Sequence, residues 1–313
     1  MDRIFHEWQD QNAAEFGRQP LLLKHRLHQS DLFSDDKLAQ LIEATPRDRY
    51  HVNTTPHDET NPRAWREGDL GGLSGRQVLQ SIYHGNIWVH LKRVQETDGA
   101  FAGLLDTIFE ELHARVPGFK SYKRSMSVLI SSPRLNVAYH ADVPGQSLWQ
   151  VRGQKRVWIY PAQAPYLPQT AIEKIVRKTA KDTDLVYQPS YDAGARILDL
   201  TPGMMATWPL NCPHRVVNAD CVNVSFTTEH WTDELRAHYV VNYANALLRD
   251  LVGDRPLARS TSGPGYLARL ALAGAHKTLM PEPKQAKRMT IDFRVDPEAP
   301  EGFRTIAPVQ IGA

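Results

Sequence analysis

The residues with the most chemistry in them are His140 and Asp142, in the stretch NVAYHADVPGQSLWQVRGQKRVWIYP (residues 136–161). Positions i and i+2 of a strand project to the same side, so this pair aims an imidazole and a carboxylate into one space. A third ligand from a distant strand would close a triangular face on a metal, and His214, in WPLNCPHRVVN, is the candidate. Two imidazoles and one carboxylate leave three adjacent octahedral positions open and suit iron(II), whereas thiolate-rich sets favour zinc. An H-x-D tripeptide alone also arises by chance, so its surroundings carry the weight. Cys212 and Cys221 flank His214 at a spacing that fits no zinc pattern, and each reads as a small buried thiol. His230 and Trp231 suit a pocket wall or ordinary packing equally well. His25, His28, His51 and His57 show no partner pattern.

Elements able to position such a triad follow. Residues 126–130, 136–141, 147–152, 155–160, 204–208 and 221–228 are short β-type runs separated by Gly, Pro, Asn and Asp. That pattern points to an all-β barrel or sandwich. Residues 162–196 interrupt it with a polar, partly helical insert. Before the barrel, 35–42 reads as a capped amphipathic helix, 46–75 as a long surface loop, 85–94 as a strand and 101–116 as an amphipathic helix ending at Pro117-Gly118. After it, 233–252 and 264–275 read as helices, followed by a Pro-rich tail. The expected organisation is an N-terminal helical and loop region over 1–122, a catalytic core over 123–232 and C-terminal helices with a tail over 233–313.

Composition sets outer bounds. Of 313 residues, 42% are hydrophobic and 23% charged, which fits a chain that buries a substantial core. Lys plus Arg number 37 against 35 Asp plus Glu, a balance that gives no case for a nucleic-acid footprint or an anionic membrane surface. The short basic run at 284–288 reads as a solvated tail. No apolar run reaches membrane-spanning length, and the N-terminus has no apolar core of signal-peptide length. Two cysteines suit a reducing cytoplasm, although counting alone leaves a single disulfide open.

Three features in one order carry a family resemblance: His140-Ala-Asp142, then Gln150-Val-Arg-Gly153-Gln-Lys155-Arg156 leading to Val157-Trp-Ile-Tyr-Pro161, then Gly203, Trp208-Pro209 and His214. Residues 123–230, about a third of the chain, thereby resemble the jumonji-C and cupin-like oxygenases, especially bacterial members and asparaginyl hydroxylases of the hypoxia-factor-inhibiting type. The resemblance implies a mainly β, α+β chain: a double-stranded β-helix (jelly-roll, or cupin) core with N-terminal and C-terminal helices. It implies Fe(II) on His140, Asp142 and His214, with 2-oxoglutarate and O2 as cosubstrates. Lys155 stands where the family binds the distal carboxylate of 2-oxoglutarate. From the residues alone, a hairpin turn at 152–154 would set Lys155, Val157 and Ile159 on one face, or leave Lys155 solvated at a hairpin edge. Arg152 and Arg156 are expected to be exposed.

The sequence also departs from the pattern. Val137 stands where relatives often carry a Thr or Ser that helps hold the carboxylate, a role Ser127 would take over. Gln146 replaces a common Asn, and Asn223 and Ser225 keep polar groups near the cosubstrate. Relatives hydroxylate protein side chains, demethylate lysines or oxidise small metabolites. Hydroxylation of a peptide or protein side chain leads here, with a small-molecule substrate close behind. The helix over 233–252 resembles the dimerisation helices of relatives, and its spacing also fits packing on the barrel. Readings from other classes are a non-oxidative metal-dependent cupin enzyme, such as an isomerase, and a non-catalytic binding module.

Overall fold

The computed structural model describes residues 3–55, 65–280 and 288–312. The strands are β1 (Phe5–His6), β2 (Leu21–His25), β3 (Tyr50–Thr54), β4 (Arg66–Asp69), β5 (Trp88–Leu91), β6 (Tyr122–Ser131), β7 (Asn136–His140), β8 (Gly145–Arg152), β9 (Lys155–Ile159), β10 (Arg196–Leu200), β11 (Met204–Thr207), β12 (His214–Asn218), β13 (Asn223–Trp231), β14 (Arg288–Val295) and β15 (Phe303–Gly312). The α-helices are α1 (Asp10–Glu15), α2 (Asp35–Ala44), α3 (Gly75–His84), α4 (Gly99–Arg115), α5 (Gln169–Val176), α6 (Asp233–Val252) and α7 (Gly263–Leu279).

Strands β6 to β13 form two facing sheets. One is the four-stranded sheet β10-β9-β12-β7; the other is the segment β11-β8-β13-β6 of an eleven-stranded sheet. Apart from β9 and β10, which are neighbours in the smaller sheet, successive strands cross between the sheets in the manner of a jelly roll, so the core is a double-stranded β-helix. Period-two patterning explains why both faces are covered. On β13, Val224 and Phe226 face a helical layer while Ser225 and Thr227 face the barrel interior. Between the sheets, Val157, Ile159, Leu200, Ala206, Trp208 and Val216 form a compact apolar cluster. Outside the larger sheet, a bigger cluster packs Phe33, Phe101, Phe109, Trp149 and Phe226 against the N-terminal elements. Outside the smaller sheet, Tyr139 and Tyr160 pack with Ile172 of α5, Val240 and Tyr243 of α6 and Ala273 of α7.

Local signals set the helices that brace these layers. Ser34 caps α2 by accepting from the Lys37 amide, and Asp35 and Asp36 sit in its first turn, where carboxylates meet the positive helix end. Thr232 caps α6 in the same way, and Gly253 ends it at φ +62°. Between the capped ends, α6 buries Ala237, Val240, Val241, Tyr243, Ala244 and Ala246, so its apolar side is spent on packing. No described helix is long and apolar enough to cross a membrane.

Three expectations are corrected. The 152–154 turn does not build a hairpin, because β8 is already paired on both edges, to β11 and β13. The turn instead carries the chain into the other sheet, where β9 pairs with β10 and β12. Gly153 makes this crossing at φ +77°, with a Cβ there falling 2.2 Å from the Val222 carbonyl oxygen. Second, 46–75 is not one surface loop: β3 pairs with β5 and β4, extending the larger sheet, while 56–64, including His57, lie outside the described residues. Third, the tail is not merely a tail. β14 and β15 form an antiparallel hairpin, and β14 runs parallel to β4. Its partner is more than 200 residues upstream, a pairing no local pattern announces. Of the basic run at 284–288, residues 284–287 lie outside the described residues.

Candidate metal centre

His140 closes β7 and His214 opens β12, and these strands pair with the two histidines directly opposed. Asp142 follows two residues beyond His140. One ligand atom from each of the three lies within 4.8 Å of the others, with His214 Nε2 3.4 Å from Asp142 Oδ2. Both imidazoles are oriented by the backbone. His140 Nδ1 donates to the Ala138 carbonyl at 2.7 Å and His214 Nδ1 to the Cys212 carbonyl at 3.1 Å. A carbonyl only accepts, so each Nδ1 carries the proton and each Nε2 presents a lone pair. Trp208 packs on the His214 ring at 4.5 Å between centroids, and the two histidine rings lie 4.2 Å apart.

Asp142 is held on two sides. Asn211, at φ +59°, donates its side-chain amide to the Asp142 carbonyl at 2.6 Å. Oriented so that its NH2 meets an acceptor, the Gln146 amide donates to Asp142 Oδ1 at 3.0 Å. Burial raises the Asp142 pKa to about 6, with the His140 ring pulling it down and Glu229 pushing it up. His214 is pushed well below its ordinary value, again chiefly by burial. An ionised carboxylate and two neutral imidazoles packed this closely are a donor set for a divalent cation, and the oriented Nε2 atoms fit such an ion.

Farther along the same interior, Lys155, Val157 and Ile159 share the inward face of β9. Lys155 is buried at 8% exposure, and its ammonium donates to Ser225 Oγ at 2.7 Å. Burial lowers its pKa to about 7. Among the described residues no carboxylate forms an ion pair with it, so this interior cation is held by a neutral hydroxyl. Arg156 is exposed and paired with Asp199, while Arg152 is part-exposed and paired with Asp35.

The remaining candidates fall in different places. Ser127 lies on the inward side of β6 and lines a cavity of about 590 Å³ with Ser125, His90, Lys92 and Glu229. Asn223 is not brought to the triad. Its side-chain oxygen accepts from Gln150 at 2.7 Å and its NH2 donates to the Cys221 carbonyl at 2.9 Å, so it ties β13 to β8. Val137 does share the interior with His140 despite the odd spacing, because a bulge inserts one residue between its pairing to Val216 and the His140–His214 pair. Cys212 and Cys221 are free thiols. Sequence reasoning missed Asn211 and Glu229. The alternation of β13 placed Glu229 on the inward face with Ser225, whereas nothing local marked Asn211.

No family model matches the sequence, and no curated protein sequence matches it. Solved structures do. The Escherichia coli protein YcfD aligns over 91% of this chain and 70% of its own at 16% identity, with a TM-score of 0.52. The two chains share a fold. A second structure, of YcfD as a ribosomal oxygenase from Escherichia coli in complex with cobalt and 2-oxoglutarate, covers 90% of this chain and 69% of that one at 16% identity, with a TM-score of 0.50.

Proposed function

We propose that the chain is an iron(II)- and 2-oxoglutarate-dependent oxygenase that hydroxylates a peptide or protein side chain. The observation that carries this reading is a convergent His-Asp-His set sharing a barrel with a buried ammonium that, among the described residues, has no carboxylate partner. A YcfD structure holding cobalt and 2-oxoglutarate in the same fold supports it.

His140 Nε2, His214 Nε2 and the Asp142 carboxylate would hold the metal. Bound iron(II) with 2-oxoglutarate supplies the oxidising power to insert one oxygen atom of O2 into a C–H bond, releasing succinate and carbon dioxide. The chain's own residues do the positioning. Lys155 and Ser225 receive the far carboxylate of 2-oxoglutarate, turning a costly lone cation into a buried ion pair. In register, Ile159 of β9 faces His214, so Lys155 stands four residues farther along, about 13 Å at the usual strand rise. A lysine side chain and a short dicarboxylate together fill a gap of that kind. Gln146 and Asn211 hold Asp142 from both sides, which fixes the open face of the metal. The apolar cluster between the sheets keeps water from the reacting centre.

The substrate would enter through the Ser125–Ser127–Glu229 cavity, which suits a polar side chain on a polypeptide. Two free thiols fit a cytoplasmic setting. A homodimer, if formed by the C-terminal helices, uses α7 rather than the spent face of α6, since Leu267, Ala268, Ala271 and Ala275 of α7 are exposed. A non-oxidative cupin reading leaves Lys155 without a purpose. Anaerobic titration of the iron(II) protein with 2-oxoglutarate tests the proposal: a visible charge-transfer band should saturate at one equivalent, and its absence rejects the reading.

A further inference from the structure

A second cavity, of about 540 Å³, lies between α5, α6, α7 and the first residues of β6. Val143, next to the metal-ligand candidate Asp142, forms part of its wall. Four cationic residues line it, namely Lys123, Lys178, Arg236 and Lys277, and all four are exposed. Among the described residues no carboxylate lines it, although Asp233 acts on Tyr122 at its edge. The whole chain has nearly balanced charge, so this is a local concentration. Lys123 also lines the cavity that holds Ser127 and Glu229, so the two hollows share one cation.

We propose that this groove docks an acidic, partly apolar polypeptide segment, and that this segment flanks the residue the oxygenase oxidises; its being part of the substrate rests on the oxygenase reading. Charge complementarity names the acidic character. The apolar character comes from Ile175, Val176, Val240 and Leu270, which form the wall between the cations. A polypeptide fits better than a single-stranded nucleic acid because the aromatic rings here offer few open faces. The Lys277 ammonium sits 4.6 Å from the centres of both Tyr239 and Tyr243, and the Trp231 ring meets Tyr239 edge to face. Base stacking needs free ring faces. Lys277 also donates to the Tyr239 hydroxyl at 3.1 Å, which pre-orders one docking cation.

Fluorescence anisotropy on the metal-free protein tests this without any turnover. The probes are a short labelled peptide alternating Glu with Leu and Phe, its Lys counterpart, and a labelled oligothymidylate of similar length. The acidic peptide should bind, weaken as salt rises, and lose about tenfold or more in affinity with Lys123→Glu, Arg236→Glu and Lys277→Glu combined. The Lys peptide should not bind. If the triple variant fails to fold, Arg236→Gln with Lys277→Gln should still lose several-fold. No binding by the acidic peptide, or binding that ignores both variants, overturns the proposal. Tighter, variant-sensitive binding of the oligothymidylate overturns it in favour of nucleic acid. Because the measurement needs no iron, groove binding with a failed 2-oxoglutarate titration would remove the oxygenase reading and leave the groove.

Discussion

Replacing Lys155 with methionine should move stability and cosubstrate binding in opposite directions. With its pKa lowered to about 7 from 10.5, Lys155 destabilises the ligand-free fold. Below pH 7 the amine is charged in both folded and unfolded chains. Between 7 and 10.5 the unfolded chain still holds the proton that the folded chain has released, so ligand-free stability rises with pH across that window. At pH 7 the linked cost of keeping this lysine is about 4 kcal/mol, the order of magnitude a methionine of similar length would relieve. The variant should therefore melt at the wild-type temperature or several degrees above it. Affinity for 2-oxoglutarate should fall, because a charge-assisted hydrogen bond to a buried carboxylate contributes about 1.5–3 kcal/mol, or roughly 10- to 150-fold. In the wild type, binding above pH 7 must recapture a proton, so affinity should decline by up to about tenfold per pH unit there. Thermal melts and anaerobic calorimetry read both quantities. Unchanged 2-oxoglutarate affinity in the variant, or a lowered melting temperature with affinity intact, refutes the reasoning.

Further outcomes follow from other contacts. Gln146→Leu removes the amide from the Asp142 carboxylate and should weaken metal binding about 10- to 100-fold, read by competition with a chelating dye. Trp149 is buried, stacked on Phe226 at 5.2 Å and donating to Thr228, so Trp149→Ala should cost about 3–5 kcal/mol and lower the melting temperature by roughly 6–20 °C. Leu267→Glu with Ala271→Glu should yield monomers in sedimentation velocity if the outer face of α7 joins two copies; monomeric wild type would discard the dimer.

The site was legible where chemistry and local period coincide. His140 and Asp142 are two apart on a strand, and β9 puts Lys155 in register with Val157 and Ile159, so patterning alone aims them inward. What patterning cannot show is pairing. β12 begins right after Pro213 and is only five residues long, and β10 adjoins a polar insert, so neither stood out as a strand. The β14–β15 hairpin depends on β4, far upstream. The turn at Gly153 has hairpin residues, yet the occupied edges of β8 send it across the barrel. The family resemblance marks Gln146 as a polar group near the cosubstrate, and the fold adds that its amide lies against Asp142. Asn211 acts through a loop conformation at positive φ, which only the folded chain reveals.

The central claim is that His140, Asp142 and His214 hold one catalytic iron. Anaerobic iron(II) titration of the wild type and of Asp142→Ala, followed by succinate release from 2-oxoglutarate in oxygen, tests it most directly. The wild type should bind one equivalent and form succinate, and the variant should lose tight binding and succinate together. Equal stoichiometry and an equal rate of succinate release in the variant would contradict the account.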